Sequence, residues 1–161
     1  MQIPGSYGGN AGQTRNLYRR MPFGKSAIYW SARGGAHLVR GGIGAAHSRA
    51  GGCTGDLGFP LSDSDRAAPS VWGSTGRVQR FEGLEDIGWN DSSCGPYGAS
   101  IYWRESDRTA AAVTGPVGRE YERISGTDGC LGFPVAAESM IRSSHGTPGR
   151  MQIFEGGSLL V

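Results

Sequence analysis

One short cassette is spelled twice, and that repetition constrains the fold more than any other feature of the chain. Its first copy runs from Ile28-Tyr29-Trp30 through Leu57-Gly58-Phe59-Pro60 to Gln79-Arg80-Phe81-Glu82-Gly83. Its second runs from Ile101-Tyr102-Trp103 through Leu131-Gly132-Phe133-Pro134 to Gln152-Ile153-Phe154-Glu155-Gly156. Ile28 to Ile101 and Phe81 to Phe154 are each 73 residues, and Leu57 to Leu131 is 74. Three signposts in one order at one spacing make an internal repeat. The expected units are 1–77 and 78–150 within a single repeat domain, with 151–161 as the opening strand of an incomplete third unit.

Each unit has the same predicted course. Ser26–Ser31 and Ser100–Arg104 are short, aromatic and β-branched, which predicts strands. Alternation sets Ile28 and Trp30 on one face and Tyr29 on the other. Turns at Arg33-Gly34-Gly35 and Glu105-Ser106-Asp107 return the chain along Ala36–Val39 and Ala110–Val113 as hairpins. A short helix follows. In the second copy Pro116 suits its first turn, Val117, Tyr121 and Ile124 share one face, and Gly126 supplies the left-handed stop. In the first copy Ile43, Ala46 and Ala50 share the face and Gly51-Gly52 end it. In each Leu-Gly-Phe-Pro turn Gly relaxes the backbone, Leu and Phe are buried, and Pro directs the exit. Gly76–Glu82 and Gly149–Glu155 close the units as strands. The stretches before the two hairpins, ending in Pro22-Phe23-Gly24 and Pro96-Tyr97-Gly98, correspond and are predicted to be loops. Met1-Gln2-Ile3 echoes Met151-Gln152-Ile153.

Composition narrows the function. With 29 glycines and 8 prolines, turns and short elements are expected rather than long helices. The net charge is +2 and the arginines are scattered, so there is no basic stripe for nucleic acid. No apolar run is long enough to span a membrane. Met1-Gln2-Ile3-Pro4 lacks the features of a signal peptide, which leaves a cytoplasmic chain or one whose export signal has been removed. Cys53, Cys94 and Cys130 match no zinc or redox spacing, and either one disulfide or three inert thiols fits them. His37, His47 and His145 do not recur at matching positions; His47 aligns with Tyr121. No metalloprotease, serine-hydrolase or P-loop pattern is present, and no cofactor or metal is implied.

Together, Leu57–Pro60, Leu131–Pro134, the two Phe-Glu-Gly strands and the two Ile-Tyr-Trp strands resemble the LGFP tandem repeats. Those occur in exported actinobacterial cell-envelope proteins, including mycolyltransferases, and beside wall hydrolase and amidase domains. The resemblance implies a mainly β fold with short helices, its repeats arranged like propeller blades. Here there are two copies, so a closed ring would need oligomerisation. It also implies a non-catalytic, secreted or wall-associated module that binds polysaccharide such as arabinogalactan or peptidoglycan.

Candidate glycan-binding residues follow from chemistry and recurrence. Tyr29, Trp30, Tyr102 and Trp103 offer ring faces with polar edges. The core role is favoured for Trp30 and Trp103, while Tyr29 and Tyr102 stand between core and ligand. Glu82 and Glu155 either accept sugar hydroxyls or satisfy backbone N–H groups, the structural role being favoured. Arg80, Trp89 and Asp91 complete the set, the last two in a loop that mixes aromatic and short polar groups. Two weak sites on one chain would raise avidity. The rival expectation is a self-assembling protein whose C-terminal strand pairs with a neighbouring protomer in a ring or filament.

Overall fold

Residues 19–23, 26–83 and 98–161 are described by the structure, a computed structural model. The first sheet is antiparallel: β1 (Arg19–Phe23), β2 (Ser26–Ser31) and β3 (Gly35–Val39). Helix α1 (Gly41–Arg49) and a 3-10 turn over Gly52–Thr54 follow. The second sheet has the order β4 (Asp65–Arg66), β5 (Gly76–Phe81), β6 (Ala99–Arg104), β7 (Ala110–Val113). Helix α2 (Gly115–Arg123) and a second 3-10 turn over Gly126–Asp128 lead on. The third sheet contains β8 (Ser139–Arg142), β9 (Pro148–Phe154) and β10 (Gly157–Leu160), with β9 in the middle. The fold is mainly β with short helices, as its strand and turn signals imply.

The middle sheet joins the repeats. β5 ends the first cassette and pairs along its whole length with β6, which opens the second. Alternation along β6 then feeds two cores. Ala99 and Ile101 join Ala27, Tyr29, Val39, Ile43, Leu57 and Phe81 in the first. Tyr102 points the other way, into a core with Val113, Val117, Tyr121, Leu131, Phe133 and Phe154. One strand therefore seals both units.

The expected faces of the opening strand are reversed. Tyr29 is 4% exposed, whereas Ile28 and Trp30 are each 37% exposed. The tyrosine face meets the unit's own helix, with His47 edge-on to the Tyr29 ring at 5.3 Å. The isoleucine–tryptophan face is buried only where a preceding helix covers it, as α1 covers β6. There Gly42 lies so close to Trp103 that a Cβ would stand 2.3 Å from the indole. The matching residue of α2 is Pro116.

Two further segments differ from expectation. The predicted loop before the first hairpin contains β1, and Met21-Pro22-Phe23 hold the register against β2 that Gln79-Arg80-Phe81 hold against β6. Antiparallel pairing on the open edge of β2 makes it a strand. Met151–Val161 is two strands, not one: β9 ends at Phe154, the chain turns at Glu155-Gly156, and β10 returns beside β9. Leu159 then packs on the second core. The segments Met1-Gln2-Ile3 and Pro96-Tyr97 lie outside the described residues.

His47 and Tyr121 are structural counterparts despite their different chemistry. Both reach the carbonyl of the turn glycine: His47 Nε2 lies 3.0 Å from Gly58 O, and the Tyr121 hydroxyl donates to Gly132 O at 2.6 Å. Both stack on the closing phenylalanine, with centroids 4.8 Å apart for His47–Phe81 and 4.6 Å for Tyr121–Phe154. A carbonyl only accepts, so Nε2 carries the proton. Burial pulls the His47 pKa below its ordinary value, with the Gly58 carbonyl only partly opposing.

Two tests follow. Gly42→Leu should cost about 1–3 kcal/mol in urea unfolding, with strong coupling to Trp103→Ala in a double-mutant cycle; additive losses would mean the two are not in contact. His47 is neutral in the fold, and the unfolded chain takes up its proton near the ordinary value of 6.5. Its stabilisation is therefore complete above that pH and declines as pH falls through it. His47→Tyr should flatten stability between pH 7 and 5.

Candidate functional site

The two halves of the repeat motif are clasped together. In the first unit Glu82 N donates to Phe59 O at 2.9 Å and Gly83 N to Leu57 O at 3.0 Å, while the Glu82 carboxylate accepts Phe59 N at 3.0 Å. In the second, Glu155 N donates to Phe133 O at 3.0 Å, Gly156 N to Leu131 O at 2.9 Å, and Glu155 Oε2 accepts Phe133 N at 2.9 Å. Gly58 and Gly132 adopt left-handed φ values of 66° and 63°, and a Cβ at either would run into the glutamate. That close approach is why glycine and glutamate recur together.

Glu155 has further partners because it sits at the seam between units. It accepts the Ser74 hydroxyl and, at 3.1 Å, Arg104 Nη1. Arg104 in turn bridges to Asp107. Burial pushes the Glu155 carboxyl up, but hydrogen bonds from Ser74, the Phe133 amide, Ser70 and Arg104 outweigh it and hold the group below its ordinary range. The Arg104 guanidinium beside Asp107 holds that carboxyl well below the usual carboxylate range.

Trp72 lies over this cluster. It comes from the loop between β4 and β5 and crosses onto the turn of the second unit. Its indole N–H donates to Cys130 O at 3.0 Å. A Cβ on Gly132 would meet the indole at 2.8 Å, and one on Gly156 at 2.9 Å. The loop is braced by Ser70 N to Ser74 O and Gly73 N to Ser70 O, both 2.9 Å. Yet Trp72 remains 59% exposed and its neighbour Val71 is 67% exposed. The result is a fixed, open aromatic surface beside a carboxylate, a guanidinium and two seryl hydroxyls.

Of the residues expected from sequence, Glu82 and Glu155 form the two clasps. Tyr29 and Tyr102 are buried, Trp103 lies under α1, and Trp30 is open on the first sheet. Arg80 is exposed, with its backbone held by Leu61 and Ser62. Trp89 and Asp91 lie outside the described residues, as does Cys94. The aromatic candidates are thus not gathered around either glutamate. Sequence reasoning passed over Trp72, Arg104, Ser70 and Ser74. The available signal was Trp72 itself, a large aromatic inside the turn-forming stretch Pro69-Ser70-Val71-Trp72-Gly73-Ser74. Cys53 and Cys130 are free thiols, and burial pushes the Cys53 thiol up. Among the described residues no three His, Cys, Asp or Glu side chains converge as metal ligands, and no helix is long and apolar enough to cross a membrane.

Two strand–helix–turn units built on one plan, each closed by the same clasp, define a tandem-repeat protein. Residues 18–55 match the family described as LGFP repeat, and the chain carries that repeat. No curated protein matches the chain.

Glu155→Gln should cost about 1.5–3 kcal/mol, since it removes the charge that several donors share. Glu155's folded value is lowered, so its stabilisation is complete above the ordinary value of 4.5 and is lost as pH falls below it. Acid titration of unfolding should therefore be shallower in the variant; an unchanged profile would mean the clasp does not depend on charge.

Proposed function

We propose that the chain is a non-catalytic glycan-binding module that attaches to cell-wall polysaccharide at the cell envelope. The observation that carries this reading is Trp72. Its ring is held from behind by Gly132 and Gly156 and fixed in rotation by the bond to Cys130. A sugar ring can lie on such an indole with little ordering cost to the protein. Beneath it Ser70, Ser74, Glu155 and Arg104 are bonded to one another and hold the loop that carries the indole in place. An open surface of this kind suits a polymer that passes across it. Trp30, on the first sheet, is a second open indole, and two weak contacts along one polymer would add through effective concentration.

The same reading takes the three sheets, with α1 and α2 between them, as successive blades of an open propeller-like arc. A second reading, self-assembly into a ring or filament, is favoured by one feature: among the described residues β10 pairs only with β9 and offers its outer edge.

One experiment separates the two. Purified chain is mixed with insoluble wall, arabinogalactan-stripped wall and cellulose, and light scattering is run on the same sample. Retention on intact wall, lost on stripping and weakened about tenfold by Trp72→Ala (~1.4 kcal/mol), is the expected result. No retention on any polysaccharide, with a mass of several protomers, would overturn it in favour of assembly.

A further inference from the structure

The two units differ at one position beside a buried tyrosine in a way that points to a second kind of site. In the second unit the Tyr102 hydroxyl donates to Glu122 Oε1 at 2.7 Å. Glu122 follows Tyr121 on α2; on α1 the residue following His47 is Ser48. Where the longer side chain is missing, the first unit has a cavity of about 140 Å³ lined by Arg20, Ser26, Ala27, Tyr29, Val39, Gly44 and Ser48. Tyr29, Val39 and Gly44 are the counterparts of Tyr102, Val113 and Gly118. The shell around the carboxylate is repeated, and the carboxylate is not. That volume is far above the ~10–15 Å³ one water needs.

The charge changes with it. On β5 the residue opposite Tyr102 is Val78, whereas on β1 the residue opposite Tyr29 is Arg20. Its guanidinium carbon stands 5.9 Å from the centre of the Tyr29 ring. The first unit has thus lost the anion, while a cation stands at the mouth of the same pocket, as Arg80 acts on Tyr102 in the second unit. Arg20 and Ser48 are exposed, so the cavity is reached from solvent.

We infer that this cavity binds a carboxylate delivered by a ligand, namely the carboxyl group of a uronic-acid residue, held by the Arg20 guanidinium with the Tyr29 and Ser48 hydroxyls. Charge-assisted bonds from guanidinium and hydroxyl donors are the strong pairing for such a group. A neutral sugar would leave the cation unmatched. The choice of a sugar acid rests on the glycan-binding reading; the carboxylate site does not depend on Trp72.

The test is titration of the full chain with sodium glucuronate, methyl glucoside and sodium acetate, followed by amide NMR. Glucuronate should give saturable shifts at Ala27, Tyr29, Val39 and Ser48, acetate the same shifts with at least tenfold weaker affinity, and methyl glucoside none there. Ser48→Glu supplies the missing carboxylate from within and should reduce glucuronate affinity at least tenfold without lowering the melting temperature. Arg20→Gln, at an exposed side chain, should do the same if Ser48→Glu misfolds. Retention on neutral wall polysaccharide should persist in both variants, so failure here is distinct from failure at Trp72. Absence of saturable glucuronate shifts in the parent chain, or unchanged affinity in both variants, would overturn the inference.

Discussion

The carboxylate of the Phe-Glu-Gly strand, accepting the amide of the phenylalanine in the Leu-Gly-Phe-Pro turn, is the bond on which each unit depends. It joins residues 23 apart in the first unit and 22 apart in the second. The same contact aligns the backbone bonds on either side and brings the closing phenylalanine under the helix. His47 or Tyr121 then stacks on that ring and bonds the turn glycine. A second buried tie lies three residues before the glutamate. Gln79 Nε2 donates to Leu38 O and Ser62 O, and Gln152 Nε2 to Ala112 O and Ala136 O. Both glutamines are fully buried; these bonds offset the cost of desolvating each amide nitrogen, while each Oε1 is buried without a hydrogen-bond partner. Turn, helix and hairpin are each fastened to the closing strand.

Much of this plan was legible in the chain because repetition marks what both units need. The hairpins, the helix spans and the left-handed turn glycines follow from periodicity and residue type. What escaped was set by neighbours. Tyr29 is buried and Trp30 open because of what α1 covers and what it leaves bare, and a strand read alone carries two equivalent faces. β4 and β8 have no apolar pattern, being held by pairing to β5 and β9. His47 recurs in role and not in residue type, doing the work of Tyr121 with a different atom. In the same way Trp72 belongs to no repeated motif; its role arises where one unit's loop crosses onto the next unit's turn.

The units are therefore duplicates in plan and specialised in detail. Around the second turn, Arg104, Asp107, Ser74 and Glu155 make a charged network capped by an indole. At the position of Arg104 the first unit has Ser31, whose hydroxyl merely accepts Gly34 N. Conversely, the first unit opens a cavity where the second is filled by Glu122. The two units differ at positions around the clasp and share the clasp itself.

The shared middle sheet has a topological consequence. Residues 82–98 connect β5 to β6, yet those strands are already paired from Gly76↔Arg104 to Phe81↔Ala99. Their ends are held side by side by the sheet, independently of the connection's length. Closing a longer loop between fixed ends costs only about 0.6 kcal/mol per doubling. Sequence added between these strands would therefore cost little, with both cores still sealed by one strand.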